Sequence, residues 1–547
     1  MTKKPERIDL TEEELEALLE RVERGCLEPG DYDVIKAMAE TITFLSHAVD
    51  TKGLQLKRLL RSLFGSTSEK RKAVLGDCSE PASESTESVS ADGEEQDESD
   101  ASSSEPEKKK GHGRRAASEY SGADRIVMKI DGLEPGDACP LCVRGTLYEQ
   151  RNPGVLVRVR GVAPFQATVH ELQKLRCNPC GALLTAQPPA GVGTEKYDES
   201  VPSLLAVLKY GTGMPFYRLE NLQESLGIPF SSSTQWDLLD AARKKLEPVY
   251  DELFRQAAQG EVIHNDDTKV RILELMGKRR EKLHDPPERT GLFTTGMISR
   301  LESRKIALFF SGSRHAGENL EKLLSLREAE RTPPIQMCDG LSHNEPASAK
   351  TILSNCLTHG RRRFVEVLEN FPDEVRHLID EIAKVYKVDA IARERRLDDE
   401  ERLALHQEKS ETVMSDLKLW LEALFEEKKV EPNSTLGTAV TYMLKRWEPL
   451  TLFLRKPGAP LDNNICERGL KKAILNRKNS LFFKTRHGAQ VGDLFLSLVH
   501  TAELCGANPF DYLNTLLRNA ELVAKSPADW LPWNYRETLE TSLEATR

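Results

Sequence analysis

Acidic residues near the ends of strand-like segments are the first candidates for chemistry in this sequence. Asp266 and Asp267 stand in the first such segment, EVIHNDDTKVRILEL, and Asp339 stands at the end of a later one, PPIQMCDG. A carboxylate at the carboxyl end of a buried strand lies where α/β sheets place ligand and metal sites. Taken singly, each acid could equally be a strand-end or turn residue, so the interpretation depends on a further acid.

That further acid is Glu467, within LDNNICERGLKKAILNRKN. The apolar residues recur at helical spacing, and Asp462, Asn463 and Asn464 are good N-cap residues, so the stretch predicts a helix. Glu467 lies three residues after Asn464, the capping-box offset, and four before Lys471, a favourable order for a helix ion pair. Two structural roles therefore compete with a catalytic role for this residue.

The segments around these acids predict how they are brought together. EVIHNDDTKVRILEL, GLFTTGMIS and KIALFFSG are strand-like, and the helix-like GENLEKLLSLREA precedes the fourth strand, PPIQMCDG. Three antiparallel strands, a helix, a further strand and a late acidic helix follow the order of the ribonuclease H-like fold. The long interval before Glu467 is largely helical in pattern, over Phe371–Lys429, which predicts a helical insertion.

Two stretches outside this core predict association and DNA contact. Apolar residues recur at alternating steps of three and four from Ile35 to Leu63, interrupted by Lys52, which predicts a coiled coil that pairs chains; the alternative is a helix packed on its own chain. FYRLENLQESLGIPFSSSTQWDLLDAARKK predicts a helix, a turn at Gly227 and a serine-capped helix. Ser233 and Gln235, at the start of that second helix, are candidate DNA contacts.

Paired cysteines predict a structural metal site. CPLC and CNPC supply Cys139, Cys142, Cys177 and Cys180, and two such knuckles complete a tetrahedral Zn²⁺ site with no open position. The intervening VLVRVRG and FQATVHEL are expected to be strands that bring the pairs together.

One acidic segment dominates the charge of the chain. Residues 79–107 hold eleven acids and no lysine or arginine, whereas the whole chain of 547 residues carries a net charge of −10. Such a serine- and acid-rich segment predicts a disordered linker, and the KKKGHGRR tract after it could contact a phosphate backbone or simply be solvated. The remainder is nearly neutral and therefore compatible with nucleic-acid binding. The charged N-terminus and the lack of a run of ~18 apolar residues predict a soluble, cytoplasmic protein with no membrane partner.

Together these motifs resemble DDE transposases of the insertion-sequence 66 (IS 66) family over nearly the whole chain. The resemblance rests on LFGSTSEK, CPLC, CNPC, HNDDT, MCDG, THGRRRF, LDNNICERGLKKAILNRKNSLFF and LVHTAELCGANPFDYLNTLL. The family usually has Asp-Glu-Thr where this chain has Asp266-Asp267-Thr268. The family's catalytic acid then falls on Asp266, and Asp267 remains an alternative.

The resemblance implies an enzyme that nicks and joins DNA. Asp266, Asp339 and Glu467 would bind two Mg²⁺ ions, or Mn²⁺, because clustered carboxylates stay ionised only when cations neutralise them. One ion would activate the attacking water or 3′-hydroxyl, and the other would stabilise the leaving oxygen. Basic residues would contact phosphates without reading bases. They are Arg361, Arg362, Arg363, Arg468, Lys471, Lys472, Arg477 and Lys478.

The implied partners are the terminal inverted repeats of the element and target DNA, bound by a homodimer or higher oligomer in a bacterial cytoplasm, with accessory proteins of the same element as further candidates. Two other functions fit the same motifs. A structure-selective nuclease of the same fold would cut without joining, and a catalytically inactive derivative would only bind DNA.

The chain is thus expected to be a multidomain α+β protein with a ribonuclease H-like α/β catalytic core. The predicted segments are a coiled-coil region (1–72), an acidic linker ending in the basic tract (73–117), a zinc-binding domain (118–190), a helix-turn-helix-like region (191–260), the first part of the core (261–370), a helical insertion (371–455), the Glu-bearing helix of the core (456–490) and a C-terminal helical segment (491–547).

Overall fold

The computed structural model describes residues 12–25, 28, 30–38, 136–137, 164–176, 183–185, 187, 195–284 and 287–545. The chain divides into two compact units, Met1–Cys78 with Phe165–Arg547, and Ser79–Pro164. The elements of the fold belong to the described residues of the first unit. The four paired cysteines, the acidic linker, the basic tract and the heptad positions beyond Met38 lie outside the described residues, so the predictions about them stay predictions.

A small hairpin precedes the main body. Strand β1 (Lys174–Arg176) pairs antiparallel with β2 (Leu183–Thr185). The prediction of a strand over FQATVHEL is wrong, because residues 165–172 form no strand and Val169 is 82% exposed. Alternation of apolar residues produces a strand only where one face is covered, and here only Phe165 is buried, against Phe230.

A five-stranded mixed sheet forms the centre of the described body. Its strands are β3 (Val262–Lys269), β4 (Phe293–Leu301), β5 (Arg304–Gly312), β6 (Ile335–Cys338) and β7 (Ile352–Asn355), in the order β5-β4-β3-β6-β7. The first three pair antiparallel, and β6 and β7 then add parallel to β3. The four predicted strands are therefore present. The fifth, β7, was not predicted, because ILSN is short and offers no alternating pattern.

The described helices lie before, between and after the strands along the chain. In chain order they are α1 (Glu12–Glu23), α2 (Ser200–Ala206), α3 (Phe216–Ser225), α4 (Ser232–Ala258), α5 (Gly277–Arg280), α6 (Ala316–Leu324), α7 (Leu357–Val365), α8 (Pro372–Glu394), α9 (Asp399–Lys409), α10 (Glu411–Glu426), α11 (Thr435–Lys445), α12 (Trp447–Leu450), α13 (Asn464–Ser480), α14 (Arg486–Leu504), α15 (Pro509–Arg518), α16 (Ala520–Lys525) and α17 (Tyr535–Ala545). No helix within the described ranges is long and apolar enough to cross a bilayer.

The predicted helical hairpin is present in α3 and α4. Gly227 takes a left-handed conformation (φ +76°) between the helices, and the Ser231 hydroxyl accepts a hydrogen bond from the Thr234 N–H as the N-cap of α4. Helices α4 and α14 share one apolar cluster with β4 and β5, which includes Leu246 and Val499. The hairpin is therefore built onto the sheet.

Helix α14 packs along β5, an edge strand of the sheet. Asp493, Ser497 and Thr501 are spaced one helical turn apart, and their side-chain oxygens accept hydrogen bonds from the N–H groups of Ser311, Phe309 and Ala307 on edge strand β5. An edge strand otherwise presents unpaired donors that invite association. The segment between β7 and α13 is helical, from α7 to α12, and buries a second apolar cluster against Ile335 of β6.

Candidate active site

Two of the candidate acids lie on neighbouring strands, Asp266 within β3 and Asp339 just after β6. The parallel register of β3 and β6 pairs His264 with Met337. Continued by two residues, the same register brings Asp266 beside Asp339, which directly follows β6. Because paired residues of parallel strands face the same side of a sheet, both carboxyl groups belong to one face.

Helix α13 brings Glu467 to that face. The Cys466 thiol donates a hydrogen bond to the carbonyl oxygen of Gly296 (3.2 Å), and Gly296 is the residue of β4 that pairs with Asp266. A Cβ on Gly296 would lie 2.9 Å from the Leu470 side chain, so the glycine is what allows the helix to approach the strand this closely. Glu467 follows Cys466 and therefore lies beside Asp266.

The start of α13 is tied to β3 by a buried amide. The Asn463 side chain donates to the carbonyl oxygen of Asn265 (3.1 Å), and its Oδ1 lies 3.1 Å from Nδ1 of His264. Burial lowers the pKa of His264 to about 4, so its ring is neutral and can donate this hydrogen bond. These contacts fix the register of the acidic helix on the sheet.

One of the two competing structural roles of Glu467, the capping box with Asn464, is not formed. Asn463 is the N-cap, its side chain makes no capping hydrogen bond, and Asn464 is already helical. The Glu467 carboxylate lies 3.7 Å from Nδ1 of His359 and 3.9 Å from Arg362, both on α7. Its Oε1 is buried and has no hydrogen-bond partner among the described residues. Such an orphaned acceptor is rare in a folded protein and indicates a missing cation or donor.

The electrostatics of Asp266 reflect this crowding. The pKa of Asp266 is raised to about 7, mainly by burial and also by the negative charges of Asp339, Glu467 and Asp267, against an N–H hydrogen bond from Asp267 that lowers it. A carboxyl group with this pKa is only partly ionised near neutral pH. A cation bound among the carboxylates would restore the charged form.

Asp267 faces the opposite side of the sheet. Its carboxylate accepts hydrogen bonds from the Thr295 hydroxyl (2.6 Å) and from the N–H of Ala316 at the start of α6 (2.9 Å), and Nδ1 of His315 lies 3.1 Å away. Since neighbouring residues of a strand point to opposite faces, only one of the two aspartates can face Glu467. The geometry favours Asp266 as the acid that joins Asp339 and Glu467.

A cavity of about 230 Å³ opens beside the acids. It is lined by Asp339, Gly340, Leu341, His359, Arg362, Arg363, Glu366 and Tyr442. The guanidinium carbons of Arg363 and Arg446 lie 4.3 Å and 4.4 Å from the centroid of the Tyr442 ring. Arg446 also donates a hydrogen bond to the carbonyl oxygen of Gly340 (2.7 Å). The sequence interpretation missed His359, Tyr442 and Arg446 as lining or supporting residues. The only signal was the THGRRRF motif, which contains His359.

The predicted DNA contacts divide by their surroundings. Arg468, Lys471 and Lys478 are exposed on α13, Ser233 is exposed on α4, and Arg361, Arg362 and Arg363 are half-buried on α7.

Three of the predicted contacts are instead held by the protein itself. Lys472 forms an ion pair with Glu503 (2.9 Å), and Arg477 donates to the Thr268 hydroxyl (3.2 Å) and to the carbonyl oxygen of Lys269. Gln235 is fully buried, and its amide donates to backbone carbonyl oxygens within the helical hairpin. Gln235 therefore closes the hairpin, and its burial does not fit the predicted contact with DNA.

The family assignment follows from a match that spans this whole body. The sequence model of the transposase IS66 family matches residues 195–491, more than half of the chain. The chain belongs to the IS66 family of transposases. The matched span contains Asp266, Asp339 and Glu467, together with the helical segment between the last two.

Two similar proteins carry descriptions that name no activity. The transposase-family chain is 27% identical to the uncharacterized protein y4hP of Sinorhizobium fredii over 88% of each chain. It is 24% identical to the uncharacterized protein y4jD of the same organism, over 74% of this chain and 79% of that protein. The similarity to y4hP thus covers more of the chain than the residues that the family model matches.

Proposed function

We propose that this chain is a transposase that cleaves and joins DNA strands through Asp266, Asp339 and Glu467. The observation that carries the proposal is the half-buried Asp266, whose pKa is raised to about 7 by desolvation and by the neighbouring acids. Burying mutually repelling carboxylates lowers the stability of a protein, so their convergence favours a functional site. Membership of a transposase family supplies the reaction class.

The fold that we propose for this site is ribonuclease H-like. Three antiparallel strands, two parallel strands and a late helix packed on the sheet support it. In that arrangement two acids come from the sheet and the third comes from the helix. The helices from α8 to α12 would be an insertion before α13, and the core would include residues 261–370 and 456–490.

The donor set fits divalent cations. The charges of Asp339 and Glu467 act on Asp266, so the three carboxylates would share one centre, and hard oxygen donors suit Mg²⁺ or Mn²⁺. The orphaned Oε1 of Glu467 would gain a partner. Asp266, Asp339 and Glu467 would hold the cations, which supply Lewis-acid activation of the attacking oxygen and stabilisation of the leaving oxygen.

The remaining side chains orient these acids and the DNA. His359 and Arg362 lie beside the Glu467 carboxylate and restrict its position, while Asn344 donates to Oδ1 of Asp339. The exposed Arg468, Lys471 and Lys478 would contact the phosphate backbone of the element ends or the target. Such contacts fix the strand in place without selecting a sequence.

Two further features complete the proposed transposase. The cysteine pairs at 139–142 and 177–180 would bind one structural Zn²⁺, and the heptads from Ile35 to Leu63 would pair two chains so that two element ends are held at once.

The proposal is tested by incubating the full-length protein with labelled element ends and Mg²⁺. We expect nicked and joined products that disappear with chelator and in Asp339→Asn. Asp416→Asn, an exposed aspartate on α10, is the matched control and should behave as the wild type. Nicking without joining would indicate a nuclease, and DNA binding with neither product would indicate an inactive derivative; both results contradict the proposal.

A further inference from the structure

The face of the sheet opposite the proposed catalytic acids carries its own cluster of metal-binding side chains. Asp267, His315 and His343 each offer one donor atom, and these atoms lie within 4.8 Å of one another. They come from β3, from the residue preceding α6, and from the loop after β6. We propose that they bind a divalent transition-metal ion such as Zn²⁺, separately from the Mg²⁺ site on the other face.

The distances suit such an ion. Ligand atoms at 2.0–2.1 Å from a tetrahedral Zn²⁺ lie about 3.3 Å from one another. Oδ2 of Asp267 and Nδ1 of His315 are already 3.1 Å apart. The donor atom of the third ligand, His343, lies on an exposed loop and within 4.8 Å of the other two. A water molecule would complete the coordination.

The His315 ring is held in a fixed orientation. It lies between the rings of Phe293, with centroids 4.1 Å apart, and His343, with centroids 4.6 Å apart. Metal-binding histidines are similarly oriented by their neighbours in known sites.

The Asp267 carboxylate is positioned by a second layer of hydrogen bonds. The Thr295 hydroxyl donates to its Oδ1 and itself accepts from the Asn319 amide (2.8 Å). The Asp267 side chain is only 6% exposed. Hydrogen-bonded neighbours of this kind fix ligating carboxylates and raise metal affinity.

Backbone packing brings the two histidines together. A Cβ on Gly317, the second residue of α6, would lie 2.9 Å from the carbonyl oxygen of His343 and would overlap that of Glu345. Only glycine permits this approach, so the loop that bears His343 lies directly against the start of the helix that follows His315. The proximity of the two rings is therefore built into the fold.

The proposed ion would hold in place the loop after β6, which carries Asp339. His343 precedes Asn344, whose amide donates to Asp339 and whose carbonyl oxygen accepts from Asn265 (2.8 Å) and Gln336 (2.7 Å). An ion bound to Asp267 and His343 would tie this loop to β3 beside Asp266. Its role would be positional, and its donors, two nitrogens and one carboxylate, favour Zn²⁺ over Mg²⁺.

The test is a count of Zn²⁺ per full-length chain. Chelator-treated protein is reloaded with Zn²⁺ in excess Mg²⁺, freed of unbound ions and analysed for metal. His343→Ala, an exposed position, should contain one Zn²⁺ fewer per chain than the wild type, and so should Asp267→Asn. The exposed His284→Ala is the matched control and should equal the wild type. Any zinc held by the four cysteines is common to all variants and cancels in the difference.

A second readout separates metal binding from helix capping. Zn²⁺ should raise the unfolding temperature of the wild type and of His284→Ala more than that of His343→Ala. Equal zinc content and equal Zn²⁺-induced shifts in the wild type and His343→Ala would overturn the proposal. Asp267 would then serve only to cap α6.

Discussion

Asp266 and Asp267 are adjacent in sequence, yet the two faces of β3 give them different surroundings. Asp266 faces other carboxylates and receives one backbone N–H hydrogen bond, and burial raises its pKa to about 7. Asp267 faces a hydroxyl, a helix N-terminus and an imidazole, all within 3.1 Å of its carboxylate. The face of β3 that bears Asp266 therefore concentrates negative charge with few hydrogen-bond donors. The face that bears Asp267 supplies hydrogen-bond donors. A buried acid with few donors is the one expected to need a cation.

The largest expected loss of activity comes from the face of the sheet that bears Asp266. Glu467→Gln should reduce cleavage and joining by about a thousandfold or more, because a lost metal ligand removes several kcal/mol of transition-state stabilisation. Retained DNA binding would show that the fold survives. Glu408→Gln, an exposed glutamate on α9, is the control. Near-normal activity of Glu467→Gln would restore a purely structural role for this residue.

The next effect concerns the close approach of α13 to the sheet. Gly296→Ala places a methyl group 2.9 Å from Leu470 and should shift Glu467 away from Asp266, which lowers activity by about a hundredfold. Gly312→Ala, in β5, meets nothing within 4 Å and should leave activity unchanged. Parallel assays of joining provide the measurement, and equal activity of the two variants would contradict this placement of the helix.

Stability should respond with opposite signs on the two faces. In chelator, the folded state of the wild type holds the Asp266 proton up to a pKa of about 7, so its free energy of unfolding falls as the pH rises from about 4 to 7 and then levels off. Asp266→Asn should not show this fall in the free energy of unfolding. At pH 8 it should therefore be more stable than the wild type, by about a few kcal/mol at most. The advantage should vanish near pH 4.

On the other face, Asp267→Asn should destabilise the protein by about 1–3 kcal/mol. An amide can accept at only one of the two positions where Thr295 and Ala316 now donate. Denaturant unfolding of both variants in chelator gives the comparison. The same sign of change for the two substitutions would remove the contrast between the faces.

The smallest expected effect separates two neighbouring lysines of α13. Lys471→Ala should weaken DNA binding several-fold and reduce its salt dependence by about one released counterion. Lys472→Ala should have less effect, because Lys472 is paired with Glu503. Binding measured over a series of salt concentrations distinguishes them, and a larger effect of Lys472→Ala would mean that this pair opens on DNA.

The sequence predicts much of this arrangement, but it does not predict contacts that form only on folding. Apolar runs predict four of the five strands, and the spacing after Asn463 predicts α13, because local patterns set those elements. Gln235, Lys472 and Arg477 contact Phe216, Glu503 and Thr268, which are near only after folding. The burial of Gln235 does not fit a DNA contact, and the DNA contacts of Lys472 and Arg477 stay predictions. Local sequence could not reveal those partners.

The sequence also does not predict which face of β3 each aspartate occupies. Strand alternation predicts that Asp266 and Asp267 diverge, but not which of them faces α13. The pairing of Gly296 with Asp266 and the Cys466 hydrogen bond to Gly296 decide it. His315 and His343 come to Asp267 through the packing of Gly317, which no spacing in the sequence indicates.

The most direct measurement of the central claim compares Asp266→Asn with Asp267→Asn in the cleavage and joining of labelled element ends with Mg²⁺. Both variants remove one negative charge from adjacent residues of one strand, so they differ only in the face that each side chain occupies. Asp266→Asn should give neither nicked nor joined product, and Asp267→Asn should retain both, at a reduced rate. Activity in Asp266→Asn with none in Asp267→Asn would contradict the assignment of Asp266 to the catalytic site.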